Sequence, residues 1–372
     1  MPLPTISYLT DIHFSPGAVT LLPEILAEKR LKRPLLVTDA GIVAAGLVDR
    51  LDCDMAATFT DVSPNPTQQN VMDGVAVFQH AECDSIVALG GGSPIDCAKA
   101  ISLMATHEEP LEQYALIRGG LPKITGDKPQ VVAIPTTSGT GSEVGRATLI
   151  VFDATTKLAI VGRSIIPDVA ICDPNLTLTL PAGLTAATGM DAISHCVETF
   201  CSTKFNPIAD AIAADGLQRG CNNLRTAVND GDHLQARSEM MMASMQGALA
   251  FQKGLGMIHS LSHPLGAIPK QLHHGTLNSI FLPHVLRFNA EACPEKMSRM
   301  ASVIGLSSGS ELPDYFEQLA NDAGLPSRLS NLGTTMADLM GLAERALADH
   351  STATNPRPMT VENCAAIYFA AF

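Results

Sequence analysis

The chain has 372 residues, 46% of them hydrophobic, enough for a large core divided over two domains. Its formal charge of −13 excludes the basic footprint of a nucleic-acid or anionic-membrane binder, but leaves small acidic substrates open, because a pocket can carry the opposite sign. Nine cysteines without a C-x-x-C pair predict reduced thiols and a cytoplasmic setting, and exclude a disulfide framework and a zinc knuckle.

No apolar stretch reaches membrane-spanning length, and the N-terminus shows no charged start followed by an apolar run, so no secretory signal is predicted. In chain order, short apolar runs at Leu35–Thr38, Ser85–Leu89, Val131–Ile134, Ala159–Val161 and Val169–Ile171 alternate with helical patterns. Such runs, each closed by turn residues, predict strands of a largely parallel sheet with helices between them. From Pro181 onward the apolar spacing is helical, and charges such as Glu198, Asp210 and Glu239 are predicted to lie on exposed helix faces. The expected domains are therefore an α/β unit over 1–180 and an all-helical unit over 181–372. The methionines Met240, Met241, Met242 and Met245 fall at helical spacing and read as core.

Two polar loops follow strands in the first half. Gly90-Gly91-Gly92-Ser93 opens a helix, where glycines admit a phosphate to the backbone and the helix N-terminus offers free N–H groups. Alone the triplet reads equally as a tight turn. The second loop, Pro135–Glu143, adds to it a ligand crevice at strand C-termini. Asp39, at the end of an earlier strand, suits a ribose 2′-hydroxyl and would favour NAD over NADP, with a simple turn aspartate as the alternative.

In the second half, Asp191 and His195 stand four apart, as do His259 and His263, and His273-His274-Gly275 follows. On a helix each pair shares one face. A single histidine is more often a core or surface residue than a ligand. Two such pairs with a further histidine predict a metal site, and one carboxylate with imidazoles suits Fe²⁺, Zn²⁺ or Ni²⁺.

These segments together resemble the iron-containing (group III) alcohol dehydrogenases. The resemblance is carried by Gly90–Asp96, Pro135–Glu143, Pro167–Val169, Cys172–Pro174, Leu184–Asp191, His259–Ala267 and Asn355–Pro358. It implies a Rossmann-like dinucleotide-binding α/β domain followed by an all-helical metal-binding domain, the dehydroquinate synthase-like fold. It further implies a cytoplasmic homodimer or larger homo-oligomer acting on a small alcohol or aldehyde with NAD and Fe²⁺. Matched to the family's motifs, the metal ligands would be Asp191, His195, His259 and His274, with His273 leaving open which of the adjacent pair ligates. His263 would relay protons, or else hold a structural place beside the ligands. The cofactor residues would be Asp39, Asn65, Gly91, Gly92, Ser93, Thr136, Thr137, Thr140 and Lys157.

The stretch Ala250–Gly256 is one residue shorter than the family's and carries Lys253, while Arg146 stands where many members are neutral. Either could pair a substrate carboxylate such as that of 4-hydroxybutyrate or succinic semialdehyde; the alternative is that both are solvated or paired with acids such as Glu143. Rival readings are a zinc-dependent, glycerol-dehydrogenase-like polyol enzyme, a metal-free maleylacetate-reductase-like enzyme, a dehydroquinate-synthase-like lyase and a non-catalytic nucleotide-binding protein of the same fold. The full Asp/His/His/His set speaks against the metal-free reading, and the motifs lack the basic pocket of the lyase.

Overall fold

A computed structural model describes residues 10–153, 156–268, 270 and 272–372. They form two compact units. One runs from the first described residue to Thr137 and resumes over Gly141–Thr179; the other comprises Leu180–Phe372 together with Ser138–Thr140.

The first unit contains β1 (Asp11–Phe14), α1 (Leu22–Glu28), β2 (Pro34–Val37), α2 (Ala40–Ala44), β3 (Ala57–Phe59), α3 (Gln68–His80), β4 (Ser85–Gly90), α4 (Gly92–Met104), β5 (Gln130–Pro135), β6 (Ala147–Asp153), β7 (Thr156–Val161) and β8 (Val169–Cys172). Six strands make one sheet in the order β1-β8-β5-β4-β2-β3, every pairing parallel. Central β4 is buried at every position, because helices cover both faces of a parallel sheet and its apolar run needs no alternation. Val37, Ile86 and Ala88 pack into one apolar layer and Leu36, Val87 and Leu89 into another, as expected for alternate side chains pointing to opposite faces. The predicted strand at Ala159–Val161 belongs elsewhere: β7 pairs antiparallel with β6 in a separate two-stranded ribbon. Its short apolar run carries no information about which partner it finds.

The second unit is helical throughout its described residues: α5 (Ala182–Cys201), α6 (Pro207–Asn229), α7 (Leu234–Ala250), α8 (Met257–Ala267), α9 (His274–Asn289), α10 (Pro294–Val303), α11 (Leu312–Asp322), α12 (Leu342–Ala348) and α13 (Val361–Ala371), with short 3₁₀ turns between some of them. Asn206 caps α6 by accepting from the Ala209 N–H, with Pro207 at the first helical position. Helix α5 is buried from Thr185 to Cys201, and its Met190, Ile193 and Val197 join the core with Leu224, Met240 and Leu261. Each such apolar side chain contributes about 1.5–3 kcal/mol of burial. Met240, Met241 and Met245 are buried as expected, while Met242 is half-buried. No described helix is long and apolar enough to cross a membrane, and all nine cysteines are free thiols.

Candidate active site

Helices α5, α8 and α9 bring the predicted ligands together. Asp191 and His195 lie one turn apart on α5, His259 near the start of α8, and His274 at the first position of α9. Ligand atoms of Asp191, His195 and His259 all lie within 4.8 Å of one another. Asp191 Oδ1 is 3.9 Å from Nε2 of His195, 3.9 Å from Nε2 of His259 and 3.7 Å from Nε2 of His274. Of the adjacent pair, His274 therefore faces the cluster, while His273 is exposed and stands at the N-cap of α9. The approach of α9 to α5 requires Gly275: a Cβ there would stand 2.1 Å from the Ala187 carbonyl oxygen.

Two ligand atoms each about 2.1 Å from one ion in tetrahedral geometry are about 3.4 Å apart, close to these separations. Asn278, one turn after His274, supplies a second indication. Its Nδ2 donates to Asp191 Oδ1 at 2.7 Å and lies 3.2 and 3.1 Å from Nε2 of His259 and His274, while its own buried Oδ1 has no partner. A carboxylate and imidazole nitrogens thus converge as acceptors on one point. That is the donor chemistry of a divalent transition metal, and the residues fit one.

Glu198 completes the cluster. Its Oε2 accepts from His259 Nδ1 at 2.5 Å and its Oε1 from the Ile258 N–H at 2.5 Å. The expected exposed position of Glu198 is wrong: only 4% of the residue is exposed, because these two donors repay burial of its charge. With Nδ1 held as a donor, Nε2 of His259 carries the lone pair a metal needs. Burial works against protonated His259, but Glu198, with Asp191 and Asp349, outweighs it and holds the ring above its ordinary value. Burial draws His195 down to about 4, against the opposing pull of Asp191 and of a backbone hydrogen bond with Gly139. The spacing 191, 195, 198 places all three residues on one helical stripe, a signal that the sequence carries.

His263, one turn along α8, stacks on His274 with ring centroids 5.4 Å apart and donates from Nδ1 to Asp349 Oδ2 at 2.9 Å. Burial alone would raise Asp349, yet His263 and His350 keep it well below the carboxylate range. No local motif marks Asp349 in the sequence. Lys253 takes the second of its two expected roles, that of a residue paired with an acid. Its ammonium is buried and ion-paired with Asp210, so its charge is met inside the helical unit rather than offered to a substrate.

The cofactor candidates of the α/β unit gather at the C-terminal ends of β4 and β5. A Cβ on Gly91 would meet Thr137 Cγ2 at 3.3 Å, the Thr136 N–H donates to the Gly90 carbonyl, and Thr136 Oγ1 is buried without a partner. Gly91 is the N-cap of α4 without a side-chain cap, and Gly92 is its first residue, so the first N–H groups are left for an anion. Ser93 Oγ donates to the Pro64 carbonyl, and Lys157 Nζ donates to Asn65 Oδ1 at 2.8 Å. This cradle of glycine backbone, hydroxyls and one ammonium fits a dinucleotide. Asp39 Oδ1 accepts from the Ile42 N–H and caps α2, which is the turn alternative, with its second oxygen outside that bond. Thr140 lies in the segment grouped with the helical unit. Arg146 is half-buried just before β6, and burial lowers its guanidinium.

Behind the glycine loop, Lys99 of α4 is fully buried. Its Nζ donates to Ser142 Oγ (2.8 Å) and to the carbonyls of Gly145 (3.0 Å) and Ala147 (2.8 Å), while Asp96 accepts from Ser142 Oγ and the Leu149 N–H. Burial lowers Lys99 to about 8 and raises Glu143 to about 7.

Comparison with known proteins agrees with this geometry. Residues 10–174 match the family model described as iron-containing alcohol dehydrogenase, and residues 185–372 match that of the Fe-containing alcohol dehydrogenase family, C-terminal. The chain is 47% identical over 364 residues to a 4-hydroxybutyrate dehydrogenase of Cupriavidus necator, covering 95% of each. Among solved structures, a 1,3-propanediol oxidoreductase superposes with TM-score 0.93 at 39% identity, covering 99% of this chain and 100% of that one. A sulfoacetaldehyde reductase of Bifidobacterium kashiwanohense, solved with NAD⁺, gives TM-score 0.90 at 28% identity over 99% and 98%. With both halves of the chain matched and the metal-type donor set in place, the protein belongs to the iron-containing alcohol dehydrogenase family.

Proposed function

We infer that the protein is an iron-dependent, NAD-linked alcohol dehydrogenase whose substrate is a small ω-hydroxy acid of the 4-hydroxybutyrate type, or the corresponding semialdehyde. The observation that carries the reaction class is the convergence of His195, His259 and His274, each with Nε2 within 3.9 Å of Asp191 Oδ1. The carboxylate-bearing substrate is supported by the 47% identity to a 4-hydroxybutyrate dehydrogenase. NAD is supported by the cradle at Gly91–Ser93 and by the NAD⁺ complex of the reductase relative.

When bound, the divalent metal supplies Lewis-acid polarisation of the substrate oxygen and the nicotinamide supplies the hydride acceptor. The chain's own residues set the conditions. Asp191 would contribute the one carboxylate among the imidazole ligands, and Glu198 holds the His259 ring through Nδ1. Asp349 accepts from His263 Nδ1, so Nε2 is the nitrogen through which His263 exchanges a proton. Helix α4 would hold the cofactor's pyrophosphate through its first N–H groups.

The test follows NADH formation by the iron-loaded enzyme with 4-hydroxybutyrate and with 1-butanol. A higher kcat/KM for the hydroxy acid supports the reading, and a clear preference for the neutral alcohol refutes the substrate class. We further infer a cytoplasmic homo-oligomer, supported by the family and by nine thiols without a disulfide; light scattering gives its mass.

A further inference from the structure

We propose that His263, Asp349 and His350 form a second divalent-cation site, separate from the Asp191 centre and suited to Zn²⁺. One ligand atom from each of the three lies within 4.8 Å of the other two. Asp349 turns one oxygen to each ring: its Oδ2 accepts from His263 Nδ1 at 2.9 Å, and its Oδ1 lies 3.5 Å from His350 Nδ1. None of these residues belongs to the Asp191 set, although His263 stacks on His274 with centroids 5.4 Å apart.

The donor set is a zinc set. Two imidazoles and a carboxylate leave a fourth tetrahedral position for water. Ligand atoms about 2.1 Å from one ion in that geometry stand about 3.4 Å apart. The Asp349–His350 pair, at 3.5 Å, already has this spacing. The Asp349–His263 pair, at 2.9 Å, must open by about 0.5 Å as the ion takes the place of the shared proton.

The ligands are also held. The rings of His263 and His350 lie 13° from parallel with centroids 5.6 Å apart, one on α8 and the other in the 3₁₀ turn His350–Thr354. Asp349 caps that turn, its Oδ1 accepting from the Ser351 N–H at 2.8 Å, the kind of outer hydrogen bond that orients a ligating carboxylate. Side-chain exposure is 7% at His263, 11% at Asp349 and 26% at His350, so an ion reaches the site from solvent at His350. With three protein ligands against four, this is the weaker of the two sites: one equivalent of metal fills the Asp191 centre, and the second site fills at higher free zinc. An ion there ties α8 to the turn after α12, so its binding free energy adds to the stability of the helical unit.

The experiment equilibrates metal-stripped protein with a graded series of zinc buffers, mildly alkaline so that imidazoles are unprotonated, and counts zinc per chain by elemental analysis. Wild type takes up two ions in two steps. His350→Phe keeps a ring beside His263 but removes the ligand; it retains the first step, which reports a folded protein, and its second step weakens by more than the roughly 10–100-fold that loss of an outer partner costs. Asp191→Asn does the reverse, weakening the first step and keeping the second. Thermal melting gives an independent readout: zinc at the concentration of the second step raises the Tm of wild type above its value at one ion per chain, and does not raise that of His350→Phe. A wild type that stops at a single step abolished by Asp191→Asn, a second step that His350→Phe leaves in place, or an equal rise of Tm in both proteins overturns the proposal.

Discussion

Glu198→Gln is the substitution whose consequence follows most closely from the geometry. Both carboxylate oxygens act as acceptors, one from the Ile258 N–H and one from His259 Nδ1, each at 2.5 Å. A glutamine of the same shape presents one oxygen and one NH₂, so one of the two donors faces a donor. If the amide nitrogen turns to His259, the ring must adopt the tautomer that places its proton on Nε2, the atom needed for the metal. If it turns to Ile258, a buried backbone N–H is orphaned at a cost of about 1–3 kcal/mol. Either arrangement also removes a charge-assisted bond worth about 1.5–3 kcal/mol. Loss of such an outer partner weakens metal binding by about 10–100-fold. The assay equilibrates wild type and variant against a graded series of metal buffers and measures iron or zinc retained per chain by elemental analysis. Retention of metal with an affinity within about twofold of wild type, in a variant that folds normally, would refute the claim that Glu198 sets the ligand form of His259.

Two further substitutions probe the supports of the two sites. Gly275→Ala drives a Cβ to 2.1 Å from the Ala187 carbonyl oxygen and 3.1 Å from the Asp191 side chain, so α5 and α9 must separate. The expected result is metal loss together with destabilisation of about 1–3 kcal/mol, read from metal content and denaturant midpoint; unchanged values in both would contradict the close approach. Lys99 and Glu143 predict a dip in stability near neutral pH. The Lys99 ammonium is lowered from 10.5 to about 8, so between those values the unfolded chain holds the extra proton and stability rises with pH. Glu143 is raised from 4.5 to about 7, so between those values the folded chain holds the extra proton and stability falls as pH rises. In Lys99→Met the alkaline rise disappears from denaturation curves taken across pH, and the protein loses about 3–5 kcal/mol because Asp96 and Glu143 remain buried without their cation. Persistence of the rise would assign it to another group.

The parts of this molecule that were legible in the sequence are those set by local periodicity. The apolar runs at Leu35, Ser85 and Val131 became parallel strands because each is buried on both faces, and the glycine loop after β4 lies where helix and strand geometry place it. Spacings of four put Asp191 beside His195 and His259 beside His263 because a helix turns about once in that interval. The misreadings are tertiary. Glu198 read as an exposed charge because nothing within α5 pairs it; its partners are the Ile258 N–H and His259 on α8. The choice between substrate contact and internal ion pair for Lys253 was open because its partner Asp210 is remote in sequence. Ala159–Val161 pairs with β6 rather than with the main sheet, a choice made by chain topology. Asn278 could have been found, since it lies one turn after His274, whereas Asp349 and His350 reach His263 across a separation of 86 residues and more with no periodic signal.

The central claim is that Asp191, His195, His259 and His274 hold a divalent metal on which NAD-linked alcohol oxidation depends. The most direct test strips the protein with a chelator, then restores Fe²⁺, Zn²⁺, Ni²⁺ or Mn²⁺ anaerobically, following bound metal and NADH together. The account predicts one ion per chain, activity that vanishes on removal and returns with a restored metal, and neither property in Asp191→Asn. Activity that survives complete metal removal, or that no metal brings back to a protein with the ion bound, would contradict it.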